Sequence, residues 1–303
     1  VRVRVLGTAA GGGLPQWNCA CAECVRARKD GDARGQDCLA VSGDGRRWHL
    51  VNTSPDIRGQ ILATPELTPG PGRRDTPISG VLLNTAELDH TLGLLALREG
   101  SPLNVYAPVP VQAALTDAFP VRRVLASYGS LRWQTIEPGV PIALDERLEV
   151  TAIRLSAKRP RYAAAVAVER PPNGVYGATD AWVVAYRFHD LVSGGVLVYA
   201  PCLAEWTERF DAALAGADCA LLDGTCFSDD EMITRTGGGR SSRQMGHLPI
   251  TESLLRLHQR RGLRLLFTHL NNTNPVLDPG SAEHAAVLAA GAEIAADGQL
   301  IEL

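Results

Sequence analysis

The chain has 303 residues, 45% hydrophobic and 21% charged, an ordinary globular composition with ample length for a sizeable core. A formal net charge of -3 and an isoelectric point near 6.2 leave no electrostatic footprint for nucleic acid or an anionic membrane surface. No run approaches the roughly 18 consecutive apolar residues of a membrane span, so a small-molecule or peptide-derived ligand is expected.

Residues 1–6 alternate as Val-Arg-Val-Arg-Val-Leu, which reads as a strand rather than a secretory signal and makes the cytoplasm the expected location. The glycines at 11–13 follow this strand but lack both the Gly-x-Gly-x-x-Gly spacing and the Lys-Ser/Thr ending of a phosphate cradle. They are read as allowing close backbone approach. A hairpin is expected around Gly43-Asp44-Gly45. Further strands are predicted at 48–52, 78–83, 103–106, 149–155, 164–168, 196–200, 219–222 and 263–267. Helices are predicted at 55–62, 92–98, 110–118, 204–214, 251–260 and 282–290. Consecutive strands early and α/β alternation late define an α/β chain. The Pro/Gly segments 68–77 and 237–239 are too short to be linkers, so a single domain over 1–303 is expected.

Asp89-His90, Asp223 and His269 each come just after a predicted strand, and ligand crevices in open α/β sheets form at the carboxyl ends of strands. Two imidazoles and a carboxylate delivered this way match the open facial triad of non-haem iron(II), so Asp89, His90 and His269 are the expected active-site metal ligands. The bland alternatives are a helix cap for Asp89 and hydrogen-bonded structural roles for the histidines. A tight strand-to-helix turn is needed to aim both Asp89 and His90 inward, since on a helix neighbours point about 100° apart. Asp223 and His247 are the catalytic candidates, with a fourth-ligand or capping role for Asp223 left open. His247 follows a glycine-rich loop and suits acid–base work. Asn271 and Asn274 lie in the polar run 268–275, where their amides could orient an imidazole or simply form a turn. With Arg243 they are the cofactor-binding candidates. Lys158, Arg159, Arg161 and Arg240, like Arg243, sit on predicted loops and could clamp carboxylates, or be solvated loop charge. His49, His189, His258 and His284 have no convergent partners and are given no role.

Seven cysteines are present, and Cys19, Cys21 and Cys24 crowd into six residues with a spacing that suits metal better than disulfides. Three thiolates make three corners of a tetrahedral structural zinc site, pinning the loop near 11–29. Cys38, Cys202, Cys219 and Cys226 read as scattered apolar fillers.

Five stretches carry a family resemblance from end to end. They are Leu6-Gly7-Thr8-Ala9-Ala10-Gly11-Gly12-Gly13-Leu14-Pro15-Gln16-Trp17-Asn18-Cys19, Asn52-Thr53-Ser54-Pro55-Asp56-Ile57-Arg58, Leu88-Asp89-His90-Thr91, Met245-Gly246-His247, and His269-Leu270-Asn271-Asn272-Thr273-Asn274-Pro275. Together they closely resemble the pyrroloquinoline quinone (PQQ) biosynthesis protein B family. That resemblance implies a metallo-β-lactamase-like four-layer αββα sandwich. The superfamily's His-x-His-x-Asp-His signature corresponds here to Thr85-Ala86-Glu87-Leu88-Asp89-His90, without its first two histidines, and ligand positions near Ser156 and Cys202 are also lost. One mononuclear set remains. The resemblance therefore implies iron(II)-dependent hydroxylation of the tyrosine-derived ring of a cross-linked Glu–Tyr precursor. Its alternatives are a carrier of PQQ or its precursor towards the periplasm and, more weakly, a zinc hydrolase. Implied partners are that precursor and other PQQ biosynthesis proteins, with a homodimer left open. By similarity to phosphodiesterases of this fold, Cys19, Cys21 and Cys24 hold a zinc. The relatives' fourth ligand, a histidine three residues after His269, is replaced by Asn272, a poor zinc ligand, which leaves that corner unidentified.

Overall fold

The computed structural model describes residues 1–99, 102–129, 131–168, 178–257, 260 and 262–303. The first half of the chain supplies β1 (Arg2–Gly7), β2 (Cys38–Ser42), β3 (Trp48–Val51), β4 (Ile78–Leu82), β5 (Leu103–Ala107) and β6 (Leu131–Thr135). The second supplies β7 (Pro141–Ala143), β8 (Leu148–Ser156), β9 (Val183–Asp190), β10 (Val196–Ala200), β11 (Cys219–Asp223), β12 (Arg264–Thr268) and β13 (Glu293–Ile294). A last strand, β14 (Leu300–Glu302), returns to pair with β1. One sheet runs β14-β1-β2-β3-β4-β5-β6 and the other β13-β12-β11-β10-β9-β8-β7. Each is antiparallel in one part and parallel in the other, with β3 to β6 and β10 to β13 parallel.

Period-two alternation explains the layers. Leu39 and Val41 of β2 meet Leu197 and Tyr199 of β10 in the core between the sheets. The intervening Cys38 and Ala40 join a second core with Ile57, Leu94 and Val111, on the outer side of the first sheet. Val198, Ala200, Ala220 and Leu222 join a third, with Phe210 of helix Glu208–Ala213 and Val287 of helix Ala282–Ala289. Both faces of the central strands are covered, so they read as unbroken apolar runs. This is the αββα sandwich.

The sequence misplaced several elements. Residues 164–168 form no strand; Ala163 and Val166 pack into the outer core from a loop, and apolar content alone mimicked β structure. The strand there is β9, where buried Tyr186 and Phe188 alternate with half-buried Arg187. The predicted helix 92–98 is a 3-10 helix, Leu92–Glu99, and 110–118 divides into helix Val109–Ala113 and a π turn, Ala114–Ala118. Part of the expected cysteine loop is helix Ala22–Asp30, with Glu23 in its first turn, Arg28 and Lys29 in its last, and Gly31 in the left-handed region closing it. The Gly43-Asp44-Gly45 hairpin joins β2 to β3, with the Asp44 carboxylate accepting from the N–H groups of Arg46 and Arg47. The helix is Ile250–Leu257, and His258 and Gln259 of the predicted helix 251–260 lie outside the described residues.

Candidate active site

The carboxyl ends of β4, β10, β11 and β12 open onto one edge of the sandwich. Beyond β4, Asp89 and His90 sit on a one-turn helix, Leu88–Thr91, rather than on the turn expected; Glu87, not Asp89, is its N-cap. His90 is held from behind, its carbonyl accepting from Thr53 N at 2.8 Å and its Nδ1 donating to Asn84 Oδ1 at 2.9 Å. Asn84 is itself fixed through Asn52, whose Oδ1 accepts from Asn84 N. Beyond β12, His269 adopts φ 56°, a left-handed conformation that costs a non-glycine residue about 1–2 kcal/mol. Backbone bonds of Leu270 to Thr8 and Ala10 on either side keep it there.

These elements bring Asp89, His90 and His269 together. Asp89 Oδ2 lies 3.9 Å from His90 Nε2 and 3.4 Å from His269 Nε2. Asp223 and His247 stand against the other side of His269, whose ring stacks on that of His247 at 5.3 Å between centroids. Thr225 organises this side. Its hydroxyl has one proton to give, and Asp223 Oδ1, which can only accept, lies at 2.7 Å. The hydroxyl oxygen therefore accepts from His269 Nδ1 at 2.9 Å, and His247 Nδ1 donates to Asp223 Oδ2 at 2.7 Å. Both Nδ1 positions of the ligand candidates are thus spoken for by protein oxygens, while Nε2 of His90 and of His269 is buried without a hydrogen-bond partner. Bare, buried Nε2 atoms with oriented Nδ1–H groups are the arrangement of metal-ligating imidazoles. The groups Asp223/His247/His269 and His90/Cys202/His269 are each close enough for an ion, but in the first of them Nδ1 of both histidines is already hydrogen-bonded to Thr225 or Asp223.

Electrostatics favour a cation at the first cluster. Burial raises the Asp89 carboxyl, yet His90 and His269 outweigh it and hold the group well below the usual carboxylate range. Burial depresses His90 to about 4 despite Asp89. At His269 burial is opposed by Asp89, which pushes the ring up to about 9, so in the absence of an ion a proton carries the positive charge. Asp37, fully buried beneath, accepts from Thr268 Oγ1 at 2.5 Å and from the Tyr199 hydroxyl; burial lifts its carboxyl to about 6.

Cys202 corrects the sequence reading. It does pack in the apolar core, but it lies two residues past β10 with its Sγ within 4.8 Å of nitrogens of His90 and His269, which places it beside the candidate site as well. The strand-end logic that picked out Asp223 applied equally here, but a lone cysteine in apolar surroundings gave no chemical contrast. Arg243 is drawn away, paired with Glu252 and half exposed, and it is Arg240 that lines the cavity over Asp89 and His269. Asn274 is a structural residue, its amide donating to Gly224 O at 2.7 Å and its oxygen capping Val276 N. Asn271 does line that cavity, which measures about 320 Å³, although its amide is bonded to Thr273 and Met232. Lys158, bonded to the Met245 carbonyl, and Arg240 also face a contiguous space of about 580 Å³ that reaches Arg159, Arg161 and Tyr162. Elsewhere His49 pairs with Asp145 and His284 with the Val276 carbonyl, as structural histidines do.

The sulfur atoms of Cys19, Cys21 and Cys24 lie within 4.8 Å of one another. Cys24 and Cys19 accept from the N–H groups of Gln16 and Cys21, each at 3.4 Å. Burial opposes ionisation of Cys19, but donors including Cys21 N–H and the Asn272 amide lower it below an ordinary thiol. Burial and the neighbouring sulfurs raise Cys21. Three sulfurs gathered this closely on one short segment, with N–H donors already directed at them, are a donor set that fits zinc.

Residues 47–270 match the β-lactamase superfamily domain. The chain is 42% identical to coenzyme PQQ synthesis protein B of Pseudomonas paraeruginosa and 40% identical to that of Pseudomonas putida, over 100% and 99% of both partners. It belongs to the coenzyme PQQ synthesis protein B family. Among solved structures, the zinc-bound PqqB of Methylobacterium extorquens superposes with a TM-score of 0.89 at 38% identity, covering all of both chains. A diphosphatase of the PhnP family, at 20% identity, shares the fold with a TM-score of 0.69 over 100% of this chain and 96% of its own. Membership accounts for the motif at 52–58, in which Asn52 and Thr53 buttress His90.

Proposed function

We propose that this protein acts in PQQ biosynthesis as an iron(II)-dependent oxygenase that hydroxylates the tyrosine-derived ring of a cross-linked Glu–Tyr precursor. The observation that supports this reading most strongly is the meeting of Asp89 with two buried, bare Nε2 atoms, those of His90 and His269. Three such donors leave adjacent coordination positions vacant, and iron(II) bound there would supply the activation of O₂ beside the substrate. Ring C–H becomes C–OH; one oxygen atom of O₂ enters the ring and the other leaves as water, on two electrons from an external reductant. His247, backed by Asp223, is the group to take or return the phenolic proton. Lys158 and Arg240 line the cavity where carboxylates of such a precursor would bind. Location in the cytoplasm alongside the other PQQ biosynthesis proteins belongs to the same reading.

A carrier that holds PQQ or its precursor without turnover would use the same cationic wall, and that wall is what favours it as the second reading. The test is anaerobic reconstitution with iron(II), followed by O₂ uptake with a phenolic Glu–Tyr precursor. Uptake above a His269→Ala control, with hydroxylated product, supports the oxygenase. Tight binding of PQQ with no uptake above the control rejects turnover and leaves the carrier.

A further inference from the structure

We propose that the side-chain carbonyl oxygen of Asn272 is the fourth ligand of the metal at Cys19, Cys21 and Cys24; this rests on reading the cysteines as a zinc site. The Asn272 amide terminus lies 3.1 Å from Cys19 Sγ, 3.6 Å from Cys21 Sγ and 3.4 Å from Cys24 Sγ. A tetrahedral ion with sulfur at about 2.3 Å and oxygen at about 2.0–2.2 Å puts ligand oxygen roughly 3.5 Å from each sulfur. The amide terminus thus already stands at the apex above the sulfur triangle. It is anchored there: Asn272 is 5% exposed, its backbone carbonyl faces Cys21 Sγ at 3.4 Å, and the chain on either side is bound down through Leu270 and Asn274.

The atom at the apex is the amide nitrogen, as suits three metal-free sulfurs that accept hydrogen bonds. The two ends of an amide are nearly isosteric, and a half-turn about Cβ–Cγ exchanges NH₂ for C=O. With three thiolates around a dication, the outward electron demand reverses and the oxygen faces in. A neutral ligand is the fitting one, because three thiolates already overcompensate the ion by one charge and a carboxylate would add a second. The residue that left this corner unidentified in the sequence therefore completes it, with a harder and weaker donor than imidazole.

The test uses the full chain loaded with cadmium-113, whose NMR shift separates a sulfur-rich site from the Asp89/His90/His269 site, together with chelator competition for zinc. In Asn272→Ala, affinity at the sulfur-rich site is expected to fall by about tenfold or more. In Asn272→His, the zinc X-ray absorption should keep three sulfurs and one light-atom ligand and gain the outer-shell scattering of an imidazole ring. Asn272→Ala binding zinc within about twofold of the parent overturns the assignment while leaving the three-cysteine site intact. A parent protein with no sulfur-rich cadmium signal overturns the zinc reading beneath it. Should Asn272→Ala misfold, Asn272→His decides: a zinc site without the outer-shell scattering of an imidazole ring also overturns the assignment.

Discussion

Thr225 concentrates several functions in one hydroxyl. By donating to Asp223 and accepting from His269 it sets the tautomer of the candidate ligand and couples it to the acid–base pair. Thr225→Val keeps the shape and removes the bond. Active-site metal affinity is expected to drop about 10- to 100-fold, with cadmium at the cysteine site unchanged, as titration of each site checks. Cys202 would bear on metal choice only by giving up the proton that burial and Asp223 hold on its thiol and binding as a fourth donor. Thiolate favours zinc over iron(II), so Cys202→Ser should shift competition between equal concentrations of the two ions towards iron, read as bound metal after desalting. Thr225 was illegible in the sequence and Cys202 was marked only as a lost ligand position, because both are common types whose meaning comes from what lies opposite, whereas Asp89, His90 and His269 carry unusual chemistry at visible strand ends.

At the scale of elements, the short helix Leu88–Thr91 is held by the close crossing of Gly93 over the segment 53–57. A Cβ on Gly93 would come within 2.3 Å of Ser54 O and 2.7 Å of Ile57 Cγ2. Gly93→Ala must push helix and loop apart; it is expected to destabilise by about 1–3 kcal/mol in urea unfolding, and to weaken active-site metal binding with it. The turn between β7 and β8 makes a separate claim about pH. Burial raises the Asp145 carboxyl, but His49 and the N–H groups of Arg147 and Leu148 outweigh it and bring it to about 2. A carboxylate depressed on folding adds stability above its unfolded value, about 3.9, and loses it as pH falls towards the folded value. The stability gap between wild type and Asp145→Asn should accordingly close as pH falls from about 4 to 2, measured by denaturant melts across that range. Strands buried on both faces, such as β10 and β11, were read correctly because continuous apolar runs leave little choice. β9 was not, because alternation diluted by Arg187 and His189 competes poorly with an apolar loop nearby.

For the molecule as a whole, the sandwich is assembled from halves that each contribute half a site: β4 delivers Asp89 and His90, while β10, β11 and β12 deliver the residues opposite. No local pattern reports how two sheets face each other, and only the family motifs carried that information in the sequence. Among the described residues no helix is long and apolar enough to cross a membrane. The cysteine centre adds a long-range tie, joining the segment around helix Ala22–Asp30 to the stretch after β12. Stripping the sulfur-bound metal should raise amide hydrogen exchange at 16–30 and 269–274 while β2, β10 and β11 stay protected; uniform deprotection would contradict a local role.

Only two residues separate His269 from Asn272. The backbone that fixes the imidazole beside Asp89 also carries an amide poised over the three sulfurs, so the six residues 269–274 form a short yoke between the two candidate sites. On the proposed assignments, an ion lost from the sulfur end would slacken the imidazole at the other end, and a shortage of zinc would reach the active site without any change in the metal offered to it.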